Sequence, residues 1–135
     1  MKEQFVTYEI ALKLREIGFN EPCFGFFVDT EKIVPASYTK EGTEYPKNSE
    51  LILDWVSSPT WQDVIDWIRD EHNIHIEFGM HEFNKWCFGI QYIDSPMDDY
   101  PRIAKSLIWD IEDYSSPIEV REKGILKCLE IIKNK

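Results

Sequence analysis

The sequence predicts an α+β fold, a two-layer sandwich with helices packed on a mainly antiparallel sheet. Three observations carry that expectation. Amphipathic helix patterns with recognisable caps fall near residues 7–17, 60–72 and 117–133. Between the second and third, Ile74-His75-Ile76-Glu77-Phe78 switches from the helical period to strict alternation, the period of a strand with one wet face. A second alternating run, Lys85 to Ile93, follows after a loop of hairpin length, Met80 to Asn84. Helix segments interleaved with hairpins favour helices laid on an antiparallel sheet.

Taken in order, the first helix starts at Thr7, whose hydroxyl can cap the first turn, although Ile10 leaves the capping box incomplete. Ile10, Ala11, Leu14 and Ile17 form its apolar stripe, while Glu9, Lys13 and Glu16 face water. Gly18 stands where a left-handed terminator belongs, Phe19 can fold back on the last turn, and Pro22 forbids continuation. Residues 23–28 read as a buried strand, Asp29-Thr30-Glu31 as a turn, and Lys32-Ile33-Val34 as a segment pairing back. Pro35 to Glu50 shows no period and is expected to be a long loop. Leu51 to Val56 reads as a strand leading to the Ser57-Ser58-Pro59-Thr60 turn.

The second helix is capped by Thr60, with Asp63 near its positive end. At about 100° per residue, Trp61, Val64, Ile65, Ile68 and His72 share one face, and Trp67 falls beside it. Asn73 suits a left-handed exit. Asp94 to Ser116, broken by Pro96 and Pro101, leaves Ile103 to Ile111 open between short helix and strand. The third helix opens on Ser116-Pro117-Ile118-Glu119, with serine at the cap, proline at the first turn and glutamate to close the box. Its stripe is Ile118, Ile125, Leu129 and Ile132; Arg121 interrupts it, and Gly124 and Cys128 permit close packing. The tripeptides Cys23-Phe24-Gly25 and Cys87-Phe88-Gly89 match without constituting a repeat, but a glycine inside each strand points to a bulge or close backbone contact.

Composition narrows the function classes. A chain of 135 residues with 43% hydrophobic content is expected to form a single domain, 1–135, with a core needing neither disulfide nor metal. Three cysteines, odd in number and scattered, fit buried reduced thiols and a cytoplasmic setting. No apolar run is long enough to span a membrane, and Met1-Lys2-Glu3-Gln4 lacks the features of a signal peptide. The formal charge of −10 argues against direct nucleic-acid binding, which needs clustered Lys and Arg.

Three segments carry a resemblance. Thr7 to Leu14 running on through Gly18-Phe19-Asn20-Glu21-Pro22-Cys23-Phe24-Gly25, Pro59 to Trp67, and Gly124 to Glu130 resemble a group of small uncharacterised proteins of Bacteroidetes genomes and their prophages or mobile elements. The resemblance covers about half of the chain. It implies a bacterial or phage setting, and it brings no activity and no functional residues with it.

Catalytic chemistry finds little purchase. His72, His75 and His81 lie near Glu71, Glu77 and Glu82, but a helix-to-strand junction separates the first two histidines and the third is in the hairpin loop, so no metal or cofactor is expected. Asp63, Asp66 and Asp70 share a solvated helix face. No phosphate loop, nucleophile elbow or Cys–His pairing is present.

The unusual feature is aromatic content: five Trp, six Tyr and eight Phe, several of which, including Trp55, Trp109, Tyr38 and Tyr45, are not obviously needed inside. The expected function is a non-catalytic protein-interaction module. Trp55 and Trp67 are its candidate contact residues, Asp66 and Asp70 flank the second, and the partner is an unidentified protein or a second copy of the chain. Two alternatives stand beside it: an acidic nucleic-acid mimic that blocks a DNA-binding protein, and a small enzyme using His72 and His75 with nearby carboxylates.

Overall fold

A computed structural model of the chain describes residues 4–35, 47–51, 54–82, 85–93 and 104–134, with backbone alone at 81–82, 92–93 and 104–113. The element order is α1 (Tyr8–Glu16), β1 (Gly25–Phe27), β2 (Ile33–Pro35), β3 (Val56–Ser58), α2 (Trp61–His72), β4 (Ile74–Glu82), β5 (Lys85–Ile93), β6 (Ala104–Tyr114) and α3 (Pro117–Lys133). This is an α+β fold with two antiparallel three-stranded sheets, ordered β2-β1-β3 and β4-β5-β6. The chain divides into two compact units, Met1–Val64 and Ile65–Lys135, the boundary falling within α2. No described helix is long and apolar enough to cross a membrane.

In the first unit α1 begins where the Thr7 hydroxyl accepts from Ile10 N at 3.3 Å. It ends in a Schellman motif. Gly18 takes φ 99°, its N–H donates to Arg15 O, and Phe19 N–H donates to Leu14 O. Phe19 thereby folds into the core with Ile10, Ala11 and Leu14. The helix lies on β3, and the Tyr8 ring meets Phe27 edge-on at 5.5 Å.

The strand expected at Leu51 to Val56 sits further on, at Val56–Ser58, paired with β1 so that Phe26 faces Ser57 and Phe27 faces Val56. Ser57 and Ser58 look like turn and cap residues in sequence, yet they are 1% and 0% exposed. Residues 36–46 of the long polar stretch, Tyr38 and Tyr45 among them, lie outside the described residues. Its end is ordered by Asn48. The Asn48 amide donates to Phe19 O at 2.8 Å and its oxygen accepts from Ser57 N at 2.8 Å, tying the helix terminator to β3.

The Thr60 cap forms a full box, with Asp63 N donating to its hydroxyl and Thr60 N donating to the Asp63 carboxylate. Asn73 leaves α2 at φ 55°, as its position suggests.

In the second unit β4 runs past the expected end at Gly79 to Glu82, so the five-residue loop does not exist; residues 83–84 lie outside the described residues. A register shift between Met80 and Glu82 marks the end of regular pairing. Of the ambiguous segment Ile103 to Ile111, residues 104–111 belong to strand β6, which pairs with β5; residues 94–103 lie outside the described residues. Helix α3 is capped by Ser116 and buries Val120, Gly124, Ile125, Cys128, Leu129 and Ile132 over the sheet. Ile118, expected in this stripe, is 46% exposed, and Val120 takes its place. Arg121 is half-buried at the border.

Candidate functional site

The β1–β2 hairpin bears an open apolar surface in the first unit. Its turn is held by Asp29, whose Oδ1 accepts from Glu31 N at 2.9 Å and Lys32 N at 2.8 Å, an Asx-type closure. Val28 N donates to Lys32 O at 3.0 Å, and the strands pair in the register Gly25–Pro35, Phe26–Val34 and Phe27–Ile33. Phe5 is brought alongside by a bridge to Thr60 and by the Val6 N–H donating to Pro59 O.

Between these parts lies a groove of about 530 Å³, lined by Phe5, Gly25, Ile33 and Pro35, with Phe24 at its wall and Asp29, Glu31 and Lys32 at its rim. Gly25 makes a close approach there. A Cβ at that position would stand 3.0 Å from Ile33 Cγ2 and 3.4 Å from the Val34 carbonyl, so a side chain there would ask Ile33 to give by a few tenths of an ångström. Phe24 is 51% exposed, a large apolar ring presented to solvent at the groove wall. The volume is in the range of ligand and peptide sites, and one lysine against two carboxylates gives the rim an acidic bias.

The residues expected to form the contact patch are distributed differently. Trp67 is 8% exposed, and its ring packs edge-on against His72 at 4.9 Å; the expectation of an exposed indole is corrected, because the buried arc of α2 extends to that side. Trp55 is half-buried and stacks on Phe26 at 5.1 Å. Asp66 and Asp70 both reach Arg69, at 3.2 and 3.0 Å, so neither carboxylate stands bare on the helix. Exposed pairs of this kind contribute little stability, but they cancel part of the local negative field.

His75 lies on β4 opposite Gln91, while His72 faces Trp67; the side chain of His81 lies outside the described residues. Among the described residues no three His, Cys, Asp or Glu side chains gather as a metal-holding group.

Sequence reasoning missed Phe24. In the apolar run Cys23-Phe24-Gly25-Phe26-Phe27 no polar residue marks which ring faces out. The glycine was the available signal.

The three cysteines are free and buried. Burial first, then the Asp63 charge, pushes the Cys23 thiol from 9.0 up to about 12, the nearby Ser57 hydroxyl pulling the other way. Burial alone pushes Cys128 up to about 12. Both are therefore neutral, poor nucleophiles at neutral pH.

The linkage has a definite sign. Above pH 9.0 an unfolded thiol loses its proton, whereas the folded ones keep theirs until about 12, so stability is full below that window and falls through it. The slope is about 1.4 kcal/mol per thiol per pH unit. Urea titrations carried up to about pH 10 should show this loss, and Cys23→Ala with Cys128→Ala should flatten it. An unchanged slope in that double variant would refute the assignment. No family model, curated protein or solved structure matches the chain.

Proposed function

We propose that the chain is a non-catalytic protein-interaction module whose first unit receives an extended peptide segment of a partner in the groove beside β1 and β2. The observation that carries this is the apolar floor with Phe24 half exposed at its wall, beside a rim bearing Asp29 and Glu31. An apolar anchor seated among Phe5, Phe24, Ile33 and Pro35 supplies affinity, and a Lys or Arg beside it meets the acidic rim. The overall charge of −10 steers such a basic segment toward the protein and makes the encounter salt-sensitive.

Arg69 cancels one of the two charges of Asp66 and Asp70, which lends no support to nucleic-acid mimicry by α2.

Panning a random peptide library against the protein tests the reading. Selected peptides should combine a large apolar residue with Lys or Arg. Phe24→Asp should weaken their binding about tenfold or more, the worth of one buried aromatic contact, while leaving the melting temperature in place. Peptides without that composition, or binding that Phe24→Asp leaves intact, would refute it.

A further inference from the structure

Strand β4 is an edge of its sheet, bonded to β5 on one side. Among the described residues no other segment donates or accepts a backbone hydrogen bond along Ile74–Glu82. Soluble proteins usually blunt such an edge with lysine, proline or a bulge. Here the irregularity is confined to Met80/Glu82, and Ile74 to Gly79 is regular and contains neither lysine nor proline.

The residues along this edge are self-complementary in one antiparallel register. Centred on Ile76, the pairing sets Ile74 opposite the partner's Phe78, Ile76 opposite the partner's Ile76, and His75 opposite the partner's Glu77, the last pair occurring twice. Each imidazole can then donate to a carboxylate, and apolar residues meet on the other face. Centring on His75 places histidine against histidine, and centring on Glu77 places carboxylate against carboxylate. Of these three registers only the one centred on Ile76 pairs each His75 with a Glu77.

The pairing joins residues of the same parity, so the outward-pointing N–H and C=O groups of both strands face each other whichever set β5 has taken. Glu77 is exposed and His75, Ile76 and Phe78 are half-buried, whereas Ile74 is fully buried, so the accessible part of the edge runs from His75 to Phe78.

We infer that β4 is a homodimerisation strand. Two copies of the chain join antiparallel about Ile76, merging two three-stranded sheets into a six-stranded one, with the His75–Glu77 pairs fixing the register. The strand shares no residue with the peptide groove.

Sedimentation velocity over a dilution series tests it. The wild-type chain should form dimers, and His75→Glu, which sets two carboxylates against two, should weaken them about tenfold. Glu77→Lys should do the same, and His75→Glu combined with Glu77→Lys should restore the dimer by reversing both pairs. β4 amides should gain exchange protection as concentration rises. Phe24→Asp should leave the dimer unchanged, which separates this inference from the groove. A wild-type chain that stays monomeric at millimolar concentration, a dimer indifferent to His75→Glu, or β4 exchange independent of concentration would each overturn it.

Discussion

Replacing Trp67 by alanine is expected to destabilise the protein by about 3–5 kcal/mol, the cost of emptying a large buried side chain. The ring is 8% exposed, and its edge contact with His72 at 4.9 Å is lost with it. On the helical wheel Trp67 lies about 60° from Val64, outside the stripe drawn through Trp61, Val64, Ile65 and Ile68. The covered arc is displaced toward it: Val64 and Ile68 are fully buried, while Ile65, on the opposite border, is half exposed. A wheel drawn from sequence gives the width of an apolar arc and not which border a neighbour covers. Chemical denaturation followed by circular dichroism is the measurement, and Trp67→Phe should recover much of the loss. A cost under about 1 kcal/mol for the alanine variant would return the indole to the surface.

What the sequence made legible is concentrated where one local cause acts alone. The Thr7, Thr60 and Ser116 caps, the Gly18 and Asn73 exits and the period change after Asn73 each follow from a side chain acting on its own backbone. Elements decided by distant partners were harder to read. Strand β3 was placed too early, because the two hydroxyls of Ser57 and Ser58 disguise a fully buried strand whose partners in β1 lie about thirty residues away. β6 reads ambiguously because its pairing with β5, not its own composition, makes it a strand. Asn48 belongs to the same class. Nothing in a polar stretch distinguishes an asparagine bridging Phe19 and Ser57 from one facing water.

The candidate site divides along the same line. Gly25 announced a close backbone approach, and Ile33 and Val34 are what approach it. The exposed Phe24 beside it depended on which face of a uniformly apolar run turned outward, a choice made by the β2 and β3 pairings. Trp67 is not the exposed ring that its place on the wheel suggests, while Trp55 stays half-buried. Indoles were singled out for their size, and size is also what makes a ring useful inside: Trp55 lies against Phe26 and Trp67 against His72.

Substituting Gly124 by leucine is expected to cost about 3 kcal/mol through overpacking. Gly124 sits in α3 where the helix meets the second sheet. A Cβ there would stand 2.7 Å from Ile76 Cδ1, 3.0 Å from Phe78 Cε1 and 3.3 Å from Phe88 Cγ. These three contacts do not yield equally. Ile76 Cδ1 is the tip of a flexible side chain and can rotate away, whereas Phe88 Cγ is held close to the central strand and Phe88 itself is 2% exposed, with its ring 5.9 Å from Tyr114. Alanine is the informative comparison. It gains about 1 kcal/mol of helix propensity over glycine and asks Ile76 to rotate and the Phe78 and Phe88 rings to give slightly, so the two effects offset and Gly124→Ala should lie within about 1 kcal/mol of the wild type. The step from alanine to leucine then isolates packing from backbone entropy, since both residues favour helix and only the larger forces α3 off the strands. Urea midpoints at constant slope read that difference directly. Equal stability of the alanine and leucine variants would mean that α3 does not seat as closely over Phe78 and Phe88 as these distances require.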